Sequence, residues 1–487
     1  MNLSIASRFA SNRRIYGPRH VVRKGVLAAA LLCSLFLAGQ LAACSRTAKA
    51  PIPAPSAVQA ATAASAQSVA APPTTPSEAT ASPSRASLTP VAAPTRTAFD
   101  ELLNQVERRV VEIRDLRPGS ETQRRFVDSA TLTREIDRHL DKPDTREQLA
   151  REQQLYRLLG LIGPDDDLGA LYRALLGSQV LGLYDDETDE FLVLHAGDDL
   201  SALAESTYAH EYVHRLQDAT FDLGALGDAA EGNSDRELAL SALIEGDAVV
   251  AQLGYGIRYM SRARLTELAR SAAEVESPPG GTPFVLLRGL EFPYTAGPTF
   301  VAALRGRDSS FEAVDRAFGA PPISTEQVIH PEKYRSGEAP VEVSVPDLAG
   351  VFGSDWTPQP ADVLGEFLLS TWLAALGRSN AAQAAAGWGG DSYQVWNGPE
   401  GEAIVVARIV WDRPEEDGSE FFDSLVAGLD QSSALRRIGG SRVRRAVWQG
   451  EARAIGVELA AGGGGCVLVA AGRAEQVAKL LEAVTPP

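Results

Sequence analysis

Cysteine is nearly absent from this chain: its 487 residues include three, Cys33, Cys44 and Cys466. The first two lie in or beside an apolar N-terminal run, so neither a disulfide framework nor a cysteine-based zinc site can be built from what remains. Histidine is also scarce, with six copies, so two histidines at a meaningful spacing stand out. Positive charge is short as well. The chain has 46 basic and 63 acidic residues, a formal net charge of −17. Residues 1–43 hold six basic and no acidic residues, so the remainder carries 40 minus 63, or −23. That balance argues against nucleic acid or an anionic membrane surface as partner. Beyond residue 43 no stretch reads as apolar for long enough to span a bilayer, and no internal repeat is present.

The N-terminus has what the rest lacks. Arg13, Arg14, Arg19, Arg23 and Lys24 precede an almost unbroken apolar run, Gly25 to Ala43. The run ends in Leu41-Ala42-Ala43-Cys44, which resembles the lipobox of bacterial lipoproteins. The resemblance implies a signal peptide over 1–43 and a diacylglycerol on the Cys44 thiol. It places the protein in the cell envelope, held by lipid at the extracytoplasmic face of a membrane. Residues 44–97 are rich in Ala, Pro, Ser and Thr, with nine prolines from Ser45 onward. Such a segment buries too little apolar surface to offset its ordering entropy, and reads as a disordered tether.

The folded part is expected to be α+β. Phe99 to about Leu175 reads as helical, with Phe99, Leu102, Leu103 and Val106 at helical spacing. Residues 180–184 and 191–194 form two short apolar runs around an acidic turn, the pattern of a β-hairpin. Helices follow over Ser201–Ala219 and Arg236–Tyr259. Ser324-Thr325-Glu326-Gln327 has the form of a capping box. Near residue 343 the pattern changes to mixed strands and helices, so 98–342 and 343–487 are read as a main domain and a C-terminal module. The role of that module is not legible, and its Gly387-Trp388-Gly389-Gly390-Asp391 reads as packing and turn chemistry.

Chemistry concentrates in His210-Glu211-Tyr212-Val213-His214. Residues four apart on a helix lie one turn apart on nearly the same face, so both imidazoles can reach one metal ion. Glu211 then lies beside that ion, able to act as general base on a water. A catalytic zinc also wants a third protein ligand. The metzincin spacing is excluded, because Gln217 and Thr220 stand where its Gly and His would be. Glu245, 31 residues beyond His214, lies in an apolar helix where a carboxylate is costly unless paired or metal-bound. An ion pair with Arg236 or Arg258 is the competing explanation. Gly246 costs that helix about 1 kcal/mol relative to Ala, and is expected to let it approach the motif helix closely.

From about Val180 to Tyr334 the chain resembles gluzincin metallopeptidases of the thermolysin-like kind. More narrowly it resembles bacterial lipoproteins with His210, Glu211, His214, Leu216, Gln217 and Asp218, followed by Ala242, Leu243, Glu245, Gly246, Asp247 and Ala248. The resemblance implies a mainly helical zincin-type domain with a small hairpin or sheet before the active-site helix. It further implies Zn2+ on His210, His214 and Glu245, and Glu211 as base. The chain departs from the thermolysin-like pattern four residues after the ligand Glu, where Val249 replaces Asp. Asp247 is turned about 200° from Glu245, so Asp218 is the better candidate to orient an imidazole. Tyr294, His330, His195 and Tyr255 are candidates for the oxyanion. The strand Phe191–Leu194 is a candidate edge for an extended peptide. The expected activity is peptide-bond hydrolysis on envelope or extracellular proteins. The alternative is a catalytically silent, zinc-stabilised envelope assembly lipoprotein.

Overall fold

The computed structural model describes residues 96–177, 182–185, 190–194, 200–274, 278–345, 347–439, 444–451, 453–459, 466–471 and 474–484. Cys44, the leader, nearly all of the tether and His195 lie outside these residues.

Phe99, Leu103, Val106 and Val110 bury one face of α1 (Arg96–Arg114). The stretch read as wholly helical is interrupted by a strand, β1 (Gln123–Val127), before α2 (Ser129–Leu140), α3 (Pro143–Leu159) and α4 (Leu168–Gly177). The expected hairpin forms as β2 (Gly182–Asp185) antiparallel to β3 (Glu190–Leu194). β1 pairs with β3 in parallel, so the sheet order is β1-β3-β2. β3, expected at the edge, is therefore the central strand. The edge that packs on the motif helix is β2.

That helix is α5 (Ala202–Phe221), opened by Ser201, whose side chain accepts from the Ala204 N–H at 3.1 Å. A short α6 (Leu223–Ala230) leads to α7 (Ser234–Tyr259), capped by Asn233 with Asp235 and Glu237 in its first turn. Those acids suit the positive end of the helix dipole. Contrary to the expectation that no stretch beyond residue 43 could span a bilayer, α7 is long and apolar enough to do so, yet 72% of that apolar window is buried in the protein. It is a core helix. Next come α8 (Arg262–Ala273), α9 (Phe284–Arg305), α10 (Glu312–Gly319), α11 (Thr325–Ile329) and α12 (Pro331–Ser336). Ser324 caps α11 by accepting from the Gln327 N–H at 3.2 Å, as the capping-box pattern expects.

Gly246 does bring α7 close to a neighbour, but the neighbour is α9 rather than α5. A Cβ on Gly246 would lie 2.3 Å from the Gly297 carbonyl carbon, and one on Gly297 would lie 2.2 Å from the Ala242 oxygen. Only glycine at both positions permits this backbone contact.

After α13 (Ala349–Phe352), the C-terminal part contains β4 (Thr357–Pro358), α14 (Gly365–Ala375), α15 (Ala381–Ala385), β5 (Trp388–Asn397), β6 (Ala403–Trp411) and α16 (Asp417–Gln431). It closes with β7 (Arg436–Gly439), β8 (Arg445–Gln449), β9 (Ala454–Leu459), β10 (Cys466–Ala471) and α17 (Ala474–Val484). Its strands form a seven-stranded antiparallel sheet, order β4-β5-β6-β10-β9-β8-β7. Both faces are covered. Val405, Ala407 and Ile409 point into one core, while Ile404 and Val406 point into a second core with Val477, Leu480 and Leu481 of α17. The first core also takes Leu132, Ile136, Leu149, Leu155 and Leu159 from α2 and α3. The segments before and after residue 343 thus share one hydrophobic interior. The fold is α+β.

Candidate metal centre

The α5 and α7 helices lie side by side, and three side chains meet between them. His210 Nε2 is 3.0 Å from His214 Nε2. Glu245 Oε2 is 3.2 Å from the first and 3.3 Å from the second. The two imidazole planes stand at 83°, so their nitrogens converge on one point instead of stacking. All three residues are fully buried, and Glu211 is 2% exposed. Arg258 faces Glu112 at the surface, so it is no partner for Glu245.

The donor set fits a metal ion. The edge of a tetrahedron of N and O donors around zinc is about 3.3 Å, close to the three separations found here. Two imidazoles and one carboxylate are zinc ligands of the usual catalytic type. Glu245 Oε1 is buried and makes no hydrogen bond, which is costly for a carboxylate with no further partner. Burial opposes a charge on His214, but the Glu245 carboxylate, helped by Glu211, pushes its pKa up to about 9. Burial also opposes the ionisation of Glu245, yet His214 and His210 hold it at about 2. His210 is lowered, chiefly by burial.

The orientation of His214 is fixed from behind, and not by Asp218. Its Nδ1 lies 2.9 Å from Gln217 Oε1, which can only accept, so Nδ1 carries the proton and Nε2 faces the other two donors. Gln217 Nε2 in turn donates to the Ile244 carbonyl at 3.0 Å and to Asp247 Oδ2 at 2.8 Å. Asp247 accepts from Arg114 Nε at 2.8 and 2.9 Å, and Arg114 also donates to Asp315 at 2.5 Å. Asp247 therefore belongs to the site at second remove, through Gln217. Asp218 instead accepts the Leu223 N–H at 3.1 Å, joining α5 to α6.

Of the oxyanion candidates, the structure brings Tyr294 to the site. It lies on α9, is 1% exposed, and its ring centre is 6.4 Å from that of His210. Tyr255 donates to Glu205 at 2.6 Å. His330 is engaged by Glu366 of α14 at 3.0 Å, and that carboxylate raises its pKa. Sequence reasoning missed Gln217 and Arg114 as parts of the site. Gln217 carried a signal, standing three residues after His214 on a helix, within reach of its outer nitrogen. Arg114 carried none, being 133 residues from Asp247.

Comparison with known proteins reaches the C-terminal part of the chain. A family described as a domain of unknown function (DUF8575) matches residues 356–481, a segment that contains none of the three converging side chains. No curated protein and no solved structure matches the chain.

Proposed function

We propose that this protein is a zinc-dependent peptidase of the gluzincin kind, tethered to a bacterial membrane by lipid on Cys44. The observation that carries the reading is the buried triangle of His210, His214 and Glu245 with Glu211 in the same turn of α5. Bound there, zinc supplies a Lewis acid that lowers the pKa of water toward about 7 and polarises a carbonyl. The chain's residues do the rest. His210, His214 and Glu245 hold the ion, and Gln217 keeps the His214 lone pair turned inward. Glu211 takes the proton of the attacking water as the new C–O bond forms, and passes it to the amine as the C–N bond breaks. We assign the hydrogen bond to the developing oxyanion to Tyr294, whose ring lies against His210.

A second reading has one observation in its favour. The three donors are closed to solvent, as in a zinc-stabilised assembly protein with no catalytic role. A purely structural site has no use for a buried carboxylate at Glu211, which favours the peptidase. The test is metal analysis of the full chain with peptide cleavage by the natural protein and by Glu211→Gln. We expect about one zinc in both, and cleavage lower by roughly two to four orders of magnitude in the variant. Equal cleavage by both, or none by the natural protein, would leave the silent reading.

A further inference from the structure

The closed candidate metal centre needs a way in, and among the described residues a cavity comes near it. This cavity, of about 530 Å³, lies between α3, the start of α7, α9 and the residues around α14. Its size is that of a pocket for a small ligand or a long side chain. Two of its lining residues connect it with the centre. Tyr294 is one, and Ser241, one turn before Glu245 on α7, is the other. The cavity thus shares Tyr294, whose ring centre is 6.4 Å from that of His210, with the centre.

The walls define the chemistry of what enters. Asp144, Glu147 and Glu231 stand exposed at the rim, and Glu152, Glu237 and Asp362 are half-buried further in. Among the described residues that line it, Arg151 is the only basic one, and it pairs with Glu147 at 2.7 Å. Tyrosines are set among these acids. The Tyr172 hydroxyl is 3.5 Å from Glu152, and that of Tyr393 donates to Asp362 at 3.1 Å. Burial and the carboxylates together hold both phenols well above their ordinary pKa, so they stay neutral and lie in a field that favours cations. Leu155, Val285 and Leu290 complete an apolar wall. An aliphatic stem ending in a positive head matches all three kinds of surface: apolar wall, aromatic faces and carboxylates.

We propose that this cavity seats a lysine or arginine side chain of the peptide, and so sets a preference for cleavage next to a basic residue. The proposal rests on the peptidase reading for its substrate, while the cationic preference stands on the cavity alone. The apolar stem would bury against α3 and α9, and the head would meet Glu152.

The experiment separates the two. Binding of a fluorescein-labelled octapeptide with one central arginine is measured on the full chain carrying Glu211→Gln, against the same peptide with norleucine. The arginine peptide is expected to bind about tenfold more tightly, the scale of one charge-assisted hydrogen bond. Glu152→Gln should shrink that margin. Glu231→Gln at the exposed rim should shrink it less, and thermal melts check that both variants fold. Equal binding of the two peptides, or an arginine margin untouched by either variant, overturns the proposal. So does cleavage by the natural protein with no preference for basic residues, which would leave the peptidase reading standing. Arginine binding that depends on Glu152 without any cleavage supports the cationic pocket and removes the peptidase reading.

Discussion

Gln217 holds His214 with one end of its amide and Asp247 with the other, at 2.9 and 2.8 Å. The amide therefore cannot rotate without losing both contacts, and the imidazole is fixed in one tautomer. Gln217→Leu keeps the volume and removes the relay. Metal affinity, measured by competition with a chromogenic chelator, should fall by about 10–100-fold, the usual cost of losing a ligand's outer partner. Unchanged affinity would show that packing alone orients His214.

Glu245→Gln distinguishes ligand from bystander. The amide keeps the size of the side chain and loses the charge that balances the two imidazoles. Metal content should drop well below one per chain, along with cleavage. A variant that holds zinc as well as the natural protein would move the third ligand elsewhere.

Gly246→Ala tests the backbone contact with Gly297. Alanine favours a helix over glycine, yet here its Cβ would press on the α9 backbone at 2.3 Å. Overpacking of this kind costs about 1–3 kcal/mol, so the Tm should fall despite the gain in helix propensity. A rise in Tm would mean that α7 and α9 can separate freely.

Stability should also depend on pH through Glu326. Burial pushes its pKa up to about 7 against the pull of Lys333, from an ordinary 4.5. The folded protein thus keeps a proton that the unfolded chain releases. That stabilisation is full below about pH 4.5 and is lost as the pH rises through about 7. Glu326→Gln cannot titrate, so denaturant melts should show a shallower loss of stability over that range. Identical slopes for both proteins would contradict the burial argument.

The C-terminal boundary bears on stability in a different way. Residues 98–342 expressed alone would leave Leu149, Leu155 and Leu159 without the sheet they pack on. Such a fragment should bind dyes that report exposed apolar surface and should melt without a sharp transition. A sharp melt would show that the helices close over themselves.

The candidate metal site was the most legible part of this chain, because helical spacing places His210 and His214 on one face and an isolated acid in an apolar helix demands a partner. What lay hidden depended on distant pairings. β1, Gln-Arg-Arg-Phe-Val, has two arginines where a strand is usually apolar, and only its pairing with β3 makes it a strand. That same pairing moved Phe191–Leu194 from the edge to the middle. The glycine at 246 announced a close approach but not its direction, since every face of α7 is apolar enough to be buried. Asp218 and Gln217 both follow His214 by about one turn. Choosing between them required the position of Asp247 on the facing helix.

The shared interior has a consequence for how the chain is made. Helices α2 and α3 come off the ribosome early, and the strands that cover them come more than two hundred residues later. Contacts of such long sequence separation form slowly, because the intervening loop must first be closed. Until β5 and β6 exist, Leu149 and Leu155 lack the sheet they pack on, so this part of the interior can close only late in synthesis.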